Sequence, residues 1–176
     1  MNSWTPEEEL AMFSAMDKTE VPERLKLDNQ LCFSIYAASR AMTRAYRSLL
    51  DPLGLTYPQY LVLLTLWEKD GQTVNEIGQR LYLDSGTLTP LLKRMEQAGY
   101  IVREKGKDDE RKVEVRLGDK GNHLRLHAVR IPESLIKASH IDDDESRRTK
   151  VMVDQVLSKM LDCDCGCVPM IDEEKE

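Results

Sequence analysis

Apolar residues recur at helical spacing in the segment 84–99, at the positions Leu88, Leu91, Leu92 and Met95. This i, i+3, i+4, i+7 pattern predicts a helix with one buried face. Asp84 or Ser85 can cap its start, and Gly99 ends it after Ala98. The opposite face carries side chains of a size to reach phosphates and base edges in a DNA major groove. The residues that we expect at DNA are Ser85, Thr87, Thr89, Pro90, Lys93 and Arg94.

A capping box at Thr73 and Glu76 opens a short helix just before this one, and the turn at Leu83–Asp84 joins the two. Two short helices around a tight turn, the second one polar outside, are typical of a helix-turn-helix. An earlier helix begins near Tyr57 and Pro58, where the missing proline N–H is harmless.

Residues 112–117 alternate charged and apolar side chains, which is the period of a β-strand. With residues 100–104 they predict a hairpin around a charged loop that contains Gly106. Such a hairpin is the wing of a winged helix. We expect Arg111 in its loop to enter the minor groove beside the recognition helix.

Long amphipathic helices are predicted on both sides of this core. Asp28 is expected to cap a helix that runs to about Leu50. Residues 119–139 predict a helix that Pro132 kinks, and the acidic run 142–145 precedes a final helix. Helices outside a complete core usually bury their apolar faces against another surface. The simplest such surface is a second copy of the chain related by a twofold axis.

The fold class is therefore mainly α with a small β-wing, a winged helix-turn-helix dimerised through its N- and C-terminal helices. Residues 1–26 form an arm, 27–56 and 119–161 dimerisation helices, and 57–118 the DNA-binding domain. Residues 162–176 form an acidic tail that contains cysteines.

Charge sharpens this picture because it is unevenly distributed. The chain carries −6 overall, yet residues 80–117 hold nine Lys/Arg against seven Asp/Glu. The net-basic zone coincides with the expected recognition helix and wing. No apolar run is long enough to span a bilayer, and the acidic start does not have the order of a signal peptide. Four cysteines do not form a secreted disulfide framework, so we expect a cytoplasmic protein without membrane contact.

Four segments together resemble the MarR family, and within it the OhrR branch of organic hydroperoxide-sensing repressors. They are the segments 27–33, 55–60, 81–94 and 109–111. The resemblance implies a homodimeric winged-helix repressor on a pseudo-palindromic operator of double-stranded DNA. It also implies derepression when a cysteine near the N-terminus is oxidised by an organic hydroperoxide or a related oxidant.

Cys32 matches that cysteine. By position alone, a single cysteine on an apolar helix is most often an inert core residue. Amide dipoles at a helix start favour a thiolate, although the Asp28 carboxylate opposes them. The resemblance implies that two tyrosines hydrogen-bond the reactive thiol, and Tyr46 and Tyr57 match them, with Tyr36 as an additional neighbour. Peroxide would then convert the thiolate to a sulfenic acid.

The tail departs from the family pattern through Cys163, Cys165 and Cys167. Three interpretations stay open: a resolving thiol for Cys32, a soft-metal site for zinc or copper(I), or no specific role. A low-molecular-weight thiol is another candidate partner for oxidised Cys32. Which metal, if any, is bound is not determined by this spacing.

Two other functions compete with a peroxide-sensing repressor. One is a MarR-type repressor that responds to a metal through the tail or to a small ligand in the dimer cleft. The other is a thiol peroxidase. Neither neighbour of Cys32 is an Arg or His that would activate it through turnover, and the chain has no C-x-x-C motif. We therefore expect no enzyme activity and no cofactor.

Overall fold

A computed structural model describes residues 5–7, 21–106 and 112–162 of the chain. The chain divides into two units, Met1–Met42 and Thr43–Glu176. The helices in the described residues are α1 Leu31–Leu50, α2 Tyr57–Glu68, α3 Val74–Leu81, α4 Ser85–Gln97, α5 Asp119–Ala128, α6 Ile131–Ser139 and α7 Asp143–Leu161. The strands are β1 Gln72–Thr73, β2 Ile101–Lys105 and β3 Val113–Leu117.

Local capping explains where α3 and α4 begin. The Thr73 hydroxyl accepts from the Glu76 N–H at 3.2 Å, and the Glu76 carboxylate accepts from the Thr73 N–H at 2.7 Å. The Asp84 carboxylate accepts from the Thr87 N–H at 2.9 Å. Gly99, with φ of +77°, follows the end of α4. The two predicted helices of a helix-turn-helix are confirmed.

The three strands form an antiparallel sheet in the order β1-β3-β2. Ile101 pairs with Leu117 and Lys105 with Val113, which confirms the expected hairpin. β1 adds Gln72 opposite Val115 on the other side of β3. β1 was not predicted from the sequence, because a strand of two residues is too short to show a period of two.

The core of the second unit lies where α2, α4 and the sheet meet. The buried face of α4 consists of the four expected residues Leu88, Leu91, Leu92 and Met95. From α2 come Tyr60, Val62, Leu63 and Leu66, and from the sheet Ile101 and Val115. The orientation of α4 is therefore fixed from behind by apolar packing.

The expected cap at Asp28 is wrong. Asp28 lies within a 3₁₀ turn, Leu27–Asn29, and α1 begins only at Leu31. Gln30, with φ of −92° and ψ of 114°, separates the two. The Gln30 side chain donates to the Arg24 carbonyl at 2.6 Å, so side-chain bonds to the preceding backbone stabilise this turn. Cys32 is consequently the second residue of α1.

The expected single helix with a kink at Pro132 is also wrong. α5 ends at Ala128, and Pro132 lies in the first turn of a separate helix, α6. Backbone N–H groups in the first turn of a helix have no intrahelical acceptor, so a proline there loses no hydrogen bond. Pro132 therefore lies at the start of a helix. The final helix α7 forms as expected, with the Asp142 carboxylate accepting from the Glu145 N–H at 2.7 Å.

Two helices carry large apolar side chains that are exposed in the single chain. On α1 these are Leu31, Ile35 and Met42. On α7 they are Val151, Met152, Val153, Leu157, Met160 and Leu161. Among the helices described, none is both long and apolar enough to cross a membrane.

Replacing Leu92, which is fully buried, tests the packing behind α4. We expect Leu92→Ala to lower the free energy of unfolding by about 2–5 kcal/mol, because it leaves a cavity in the core. Urea unfolding at a fixed protein concentration measures the change. Gln97→Ala, at an exposed position of the same helix, is the control and should stay within about 0.5 kcal/mol of the unchanged chain. Equal effects of the two substitutions would contradict this packing.

Candidate nucleic-acid interface and thiol site

The outer face of α4 presents every residue that sequence analysis assigned to it. Ser85, Thr87, Thr89, Pro90, Lys93 and Arg94 are all exposed. Pro90 lies inside the helix, yet the helix continues to Gln97. The Arg94 guanidinium donates to the Pro90 carbonyl at 3.2 Å. Arg111 lies outside the described residues.

The first turn of α4 is held by one carboxylate. The Thr87 hydroxyl donates to Asp84 at 2.9 Å, in addition to the Thr87 backbone N–H bond. These bonds hold the pKa of Asp84 below its usual value. Thr87 therefore stabilises the start of the helix as well as lying on its exposed face.

An ion pair joins the end of α4 to the wing, and sequence analysis did not find it. The Arg103 guanidinium donates to one Glu96 oxygen at 2.7 and 3.0 Å, and the Arg103 backbone N–H donates to the other at 3.2 Å. The side-chain hydrogen bonds from Arg103 lower the pKa of Glu96. Because Glu96 is on α4 and Arg103 on β2, the pair fixes the wing relative to the recognition helix.

The other face of the wing is tied to the end of α2. Glu104 and Glu114 lie opposite each other across the hairpin, a repulsive arrangement. Arg116 offsets it, with its guanidinium 2.8 Å from Glu114 and 3.8 Å from Glu104. The Asp70 carboxylate accepts from the Leu117 N–H at 2.8 Å, which anchors β3 to the turn after α2.

Two of the expected thiol-supporting tyrosines lie together in the second unit. The ring centroids of Tyr46 and Tyr57 are 4.6 Å apart, and those of Tyr46 and Tyr60 are 5.9 Å apart. Burial raises the pKa of Tyr46 and of Tyr57, and it raises that of Tyr60 to about 12. All three phenols therefore stay protonated near neutral pH and remain hydrogen-bond donors.

Cys32 and Tyr36 lie in the first unit. The thiol is free and exposed in the first turn of α1. Tyr36, one turn further along, is exposed and lies under the Arg40 guanidinium, 5.5 Å from the ring centroid.

The three tail cysteines, Cys163, Cys165 and Cys167, lie outside the described residues. Within residues 5–7, 21–106 and 112–162, no three His, Cys, Asp or Glu side chains gather closely enough to hold a metal ion.

Comparisons with known proteins agree with this arrangement of elements. Residues 55–113 match the model of the MarR family. The chain is 50% identical over 128 residues to the organic hydroperoxide resistance transcriptional regulator of Bacillus subtilis strain 168. That alignment covers 73% of this chain and 87% of the relative.

Solved structures of AbfR, a protein of Staphylococcus epidermidis, are also similar. Reduced AbfR bound to DNA superposes with a TM-score of 0.68 at 40% identity, covering 80% of this chain and 98% of AbfR. Disulfide-formed AbfR superposes with a TM-score of 0.56 at 40% identity, covering 80% of this chain and 96% of AbfR.

The Glu96–Arg103 pair predicts a pH-dependent contribution to stability. A lowered folded-state pKa stabilises the fold above the unfolded value of 4.5, and this contribution is lost as pH falls through the folded pKa. We expect Glu96→Gln to be less stable near neutral pH, by no more than about 1 kcal/mol because the pair is partly exposed. The difference should shrink as pH falls below 4.5 and through the folded-state pKa. Chemical unfolding across pH measures it, with Arg103→Gln as the matched variant. A difference that stays constant with pH would contradict the assignment.

Proposed function

The chain belongs to the MarR family, and from that premise we propose that it is a homodimeric repressor that releases its operator when Cys32 is oxidised by an organic hydroperoxide. One observation carries the proposal. An exposed thiol lies at the start of a helix, in a chain that is 50% identical over 128 residues to a regulator named for organic hydroperoxide resistance.

The DNA-binding part of this proposal rests on α4 and the wing. α4 enters the major groove with its exposed polar face, while its four buried apolar residues hold it against the core. Lys93 and Arg94 supply the charge that attracts DNA phosphates and base edges. Arg111, in the wing loop, contacts the adjacent minor groove. Residues 57–118 are accordingly the DNA-binding domain.

The dimer is proposed from the large exposed apolar side chains of α1 and α7. A second copy of the chain would cover these side chains. Residues 27–56 and 119–161 are then the dimerisation helices.

The oxidation itself is a two-electron transfer between sulfur and peroxide. The Cys32 thiolate attacks the terminal peroxide oxygen, an S–O bond forms and the O–O bond breaks. The departing alkoxide takes a proton and leaves as an alcohol, so the thiol becomes a sulfenic acid while the hydroperoxide is reduced. Condensation of that sulfenic acid with a second thiol gives a disulfide and water. A low-molecular-weight thiol or one of the tail cysteines serves as this partner.

Tyr46 and Tyr57 act as hydrogen-bond donors to the thiolate in this scheme, with Tyr36 as a further neighbour. Their support is chemical, because phenols with raised pKa values keep their protons and can donate hydrogen bonds to a thiolate. Once the sulfur carries oxygen, the new group competes for the same donors. The tyrosine pair then rearranges, and this change is what reaches the DNA-binding face.

We assign Cys32 a stoichiometric role, used once per switching event and not through repeated turnover. Its sequence neighbours are Leu31 and Phe33, neither of which stabilises a peroxide leaving group. Steady-state peroxide consumption, measured with a thiol reductant, should therefore stay near the rate without protein. The same measurement on the related regulators provides a comparison.

Replacing the thiol tests the sensor. Wild-type protein bound to operator DNA should dissociate after stoichiometric cumene hydroperoxide, while Cys32→Ser should stay bound because serine cannot be oxidised at Oγ. Fluorescence anisotropy of labelled operator follows the release. A variant that keeps Cys32 but carries serine at 163, 165 and 167 reports whether the tail contributes. Release of Cys32→Ser at the wild-type peroxide dose would refute the sensor assignment.

Removing the cations of α4 tests the DNA interface. We expect Lys93→Ala and Arg94→Ala each to weaken operator binding by about 1–3 kcal/mol. If Lys93 contacts a phosphate, its loss also lowers the salt slope of the affinity by about 1. Operator titrations at several salt concentrations measure both quantities, with Gln97→Ala as the control on the same helix. If both cation variants bind the operator with wild-type affinity, the exposed face of α4 does not contact DNA.

A further inference from the structure

We propose that Tyr100 is a positioning residue that couples Tyr46 and Tyr57 to the DNA-binding face. Tyr100 lies between the end of α4 and the start of β2, at the junction of the recognition helix and the wing. It belongs to neither the thiol site nor the DNA-contacting face. The inference rests on the proposed function, because coupling has meaning only if oxidation alters operator binding.

The side chain of Tyr100 reaches the turn beside the tyrosine pair. Its hydroxyl donates to the Gly54 carbonyl at 3.2 Å. Gly54 ends the turn that follows α1, and Tyr57 is three residues further on. A Cβ at Gly54 would lie 3.1 Å from the hydroxyl, and the backbone there has φ of +69°. Glycine at this position therefore permits both the turn and the approach of the phenol.

The backbone of Tyr100 is held by contacts with α4 and with the start of α5. Its carbonyl accepts from the Gly118 N–H at 2.9 Å, and its own N–H donates to the Met95 carbonyl at 3.0 Å. A Cβ at Gly121 would lie only 2.2 Å from the Tyr100 carbonyl oxygen. The first turn of α5 thus packs directly on the peptide that links α4 to the wing.

A row of aromatic side chains connects the tyrosine pair to that same turn of α5. Tyr46 packs on Tyr60, and the Tyr60 ring lies 6.2 Å from the Trp67 ring in an edge-on arrangement. The Trp67 indole N–H donates to the Gly121 carbonyl at 3.0 Å. Two separate connections, one through Gly54 and one through Trp67 and Gly121, therefore converge on Tyr100.

Close packing is what makes these contacts a physical link. Densely packed side chains lack the free volume to absorb a displacement, so a shift of the tyrosine pair has to be passed to their neighbours. The turn at Gly54 adjoins Tyr57 and bonds the Tyr100 hydroxyl. When this turn moves, it pulls on the Tyr100 side chain, and the junction of α4 and the wing shifts as one piece against the core. The shifted junction no longer matches the grooves of the operator.

Removing only the hydroxyl tests this coupling. The operator dissociation constant is measured for the reduced protein and after oxidation with cumene hydroperoxide, and the ratio of the two is compared among variants. For Tyr100→Phe we expect the reduced protein to bind within about twofold of wild type. The oxidised-to-reduced ratio should fall by about fivefold for each protomer, as one neutral hydrogen bond is lost. Trp67→Phe tests the second connection in the same way.

Tyr82→Phe is the matched control, since Tyr82 is an exposed tyrosine in the turn between α3 and α4. The oxidised-to-reduced ratio of operator dissociation constants should be the same for Tyr82→Phe as for wild type. A merely structural role for Tyr100 would weaken binding equally in both redox states and leave the ratio unchanged, which would overturn the proposal.

The wild-type measurement separates the two levels of inference. If wild-type protein binds operator equally before and after oxidation, the proposed function fails and the coupling fails with it. If wild type releases while Tyr100→Phe keeps the full ratio, the repressor function stands and the coupling alone is refuted.

Discussion

The arrangement of the DNA-binding face depends on how closely α5 approaches the peptide at residue 100. Only glycine fits at position 121, because any side chain there would overlap the Tyr100 carbonyl oxygen. That approach fixes the base of the wing, where Ile101 and Val115 enter the core. It leaves the recognition helix and the wing as two arms of one rigid junction. The Glu96–Arg103 pair then sets the angle between the arms from the outside.

Local signals in the sequence predicted the elements of this junction but not the contacts between them. The capping box at Thr73 and Glu76 and the spacing of Leu88 to Met95 involve residues within one or two turns, so they can be read from the chain. The bond from Trp67 to Gly121 spans 54 positions and that from Tyr100 to Gly54 spans 46. Nothing in the local pattern marks either pair. β1 was missed for the same reason, since its strand character comes from pairing with β3.

The two wrong expectations have local causes as well. Asp28 has the side chain of a helix cap, but a 3₁₀ turn stabilised by side-chain bonds from Asn29 and Gln30 delays the helix to Leu31. Pro132 was expected to disturb a helix, yet it lies where a helix begins. Cys32 therefore lies in the first turn of α1, whose first backbone N–H groups have no intrahelical acceptors.

In the proposed dimer, twofold symmetry explains why weak links are sufficient for a switch of this kind. A repressor on a pseudo-palindrome reads two half-sites, so a change in each protomer counts twice in the operator affinity. One neutral hydrogen bond contributes about 1 kcal/mol, and two therefore correspond to about 2 kcal/mol, or roughly thirtyfold in the dissociation constant. No helix has to unfold to reach that factor. The exposed bond from the Tyr100 phenol to the Gly54 carbonyl is well suited to the task, since both groups can bond to water when it breaks.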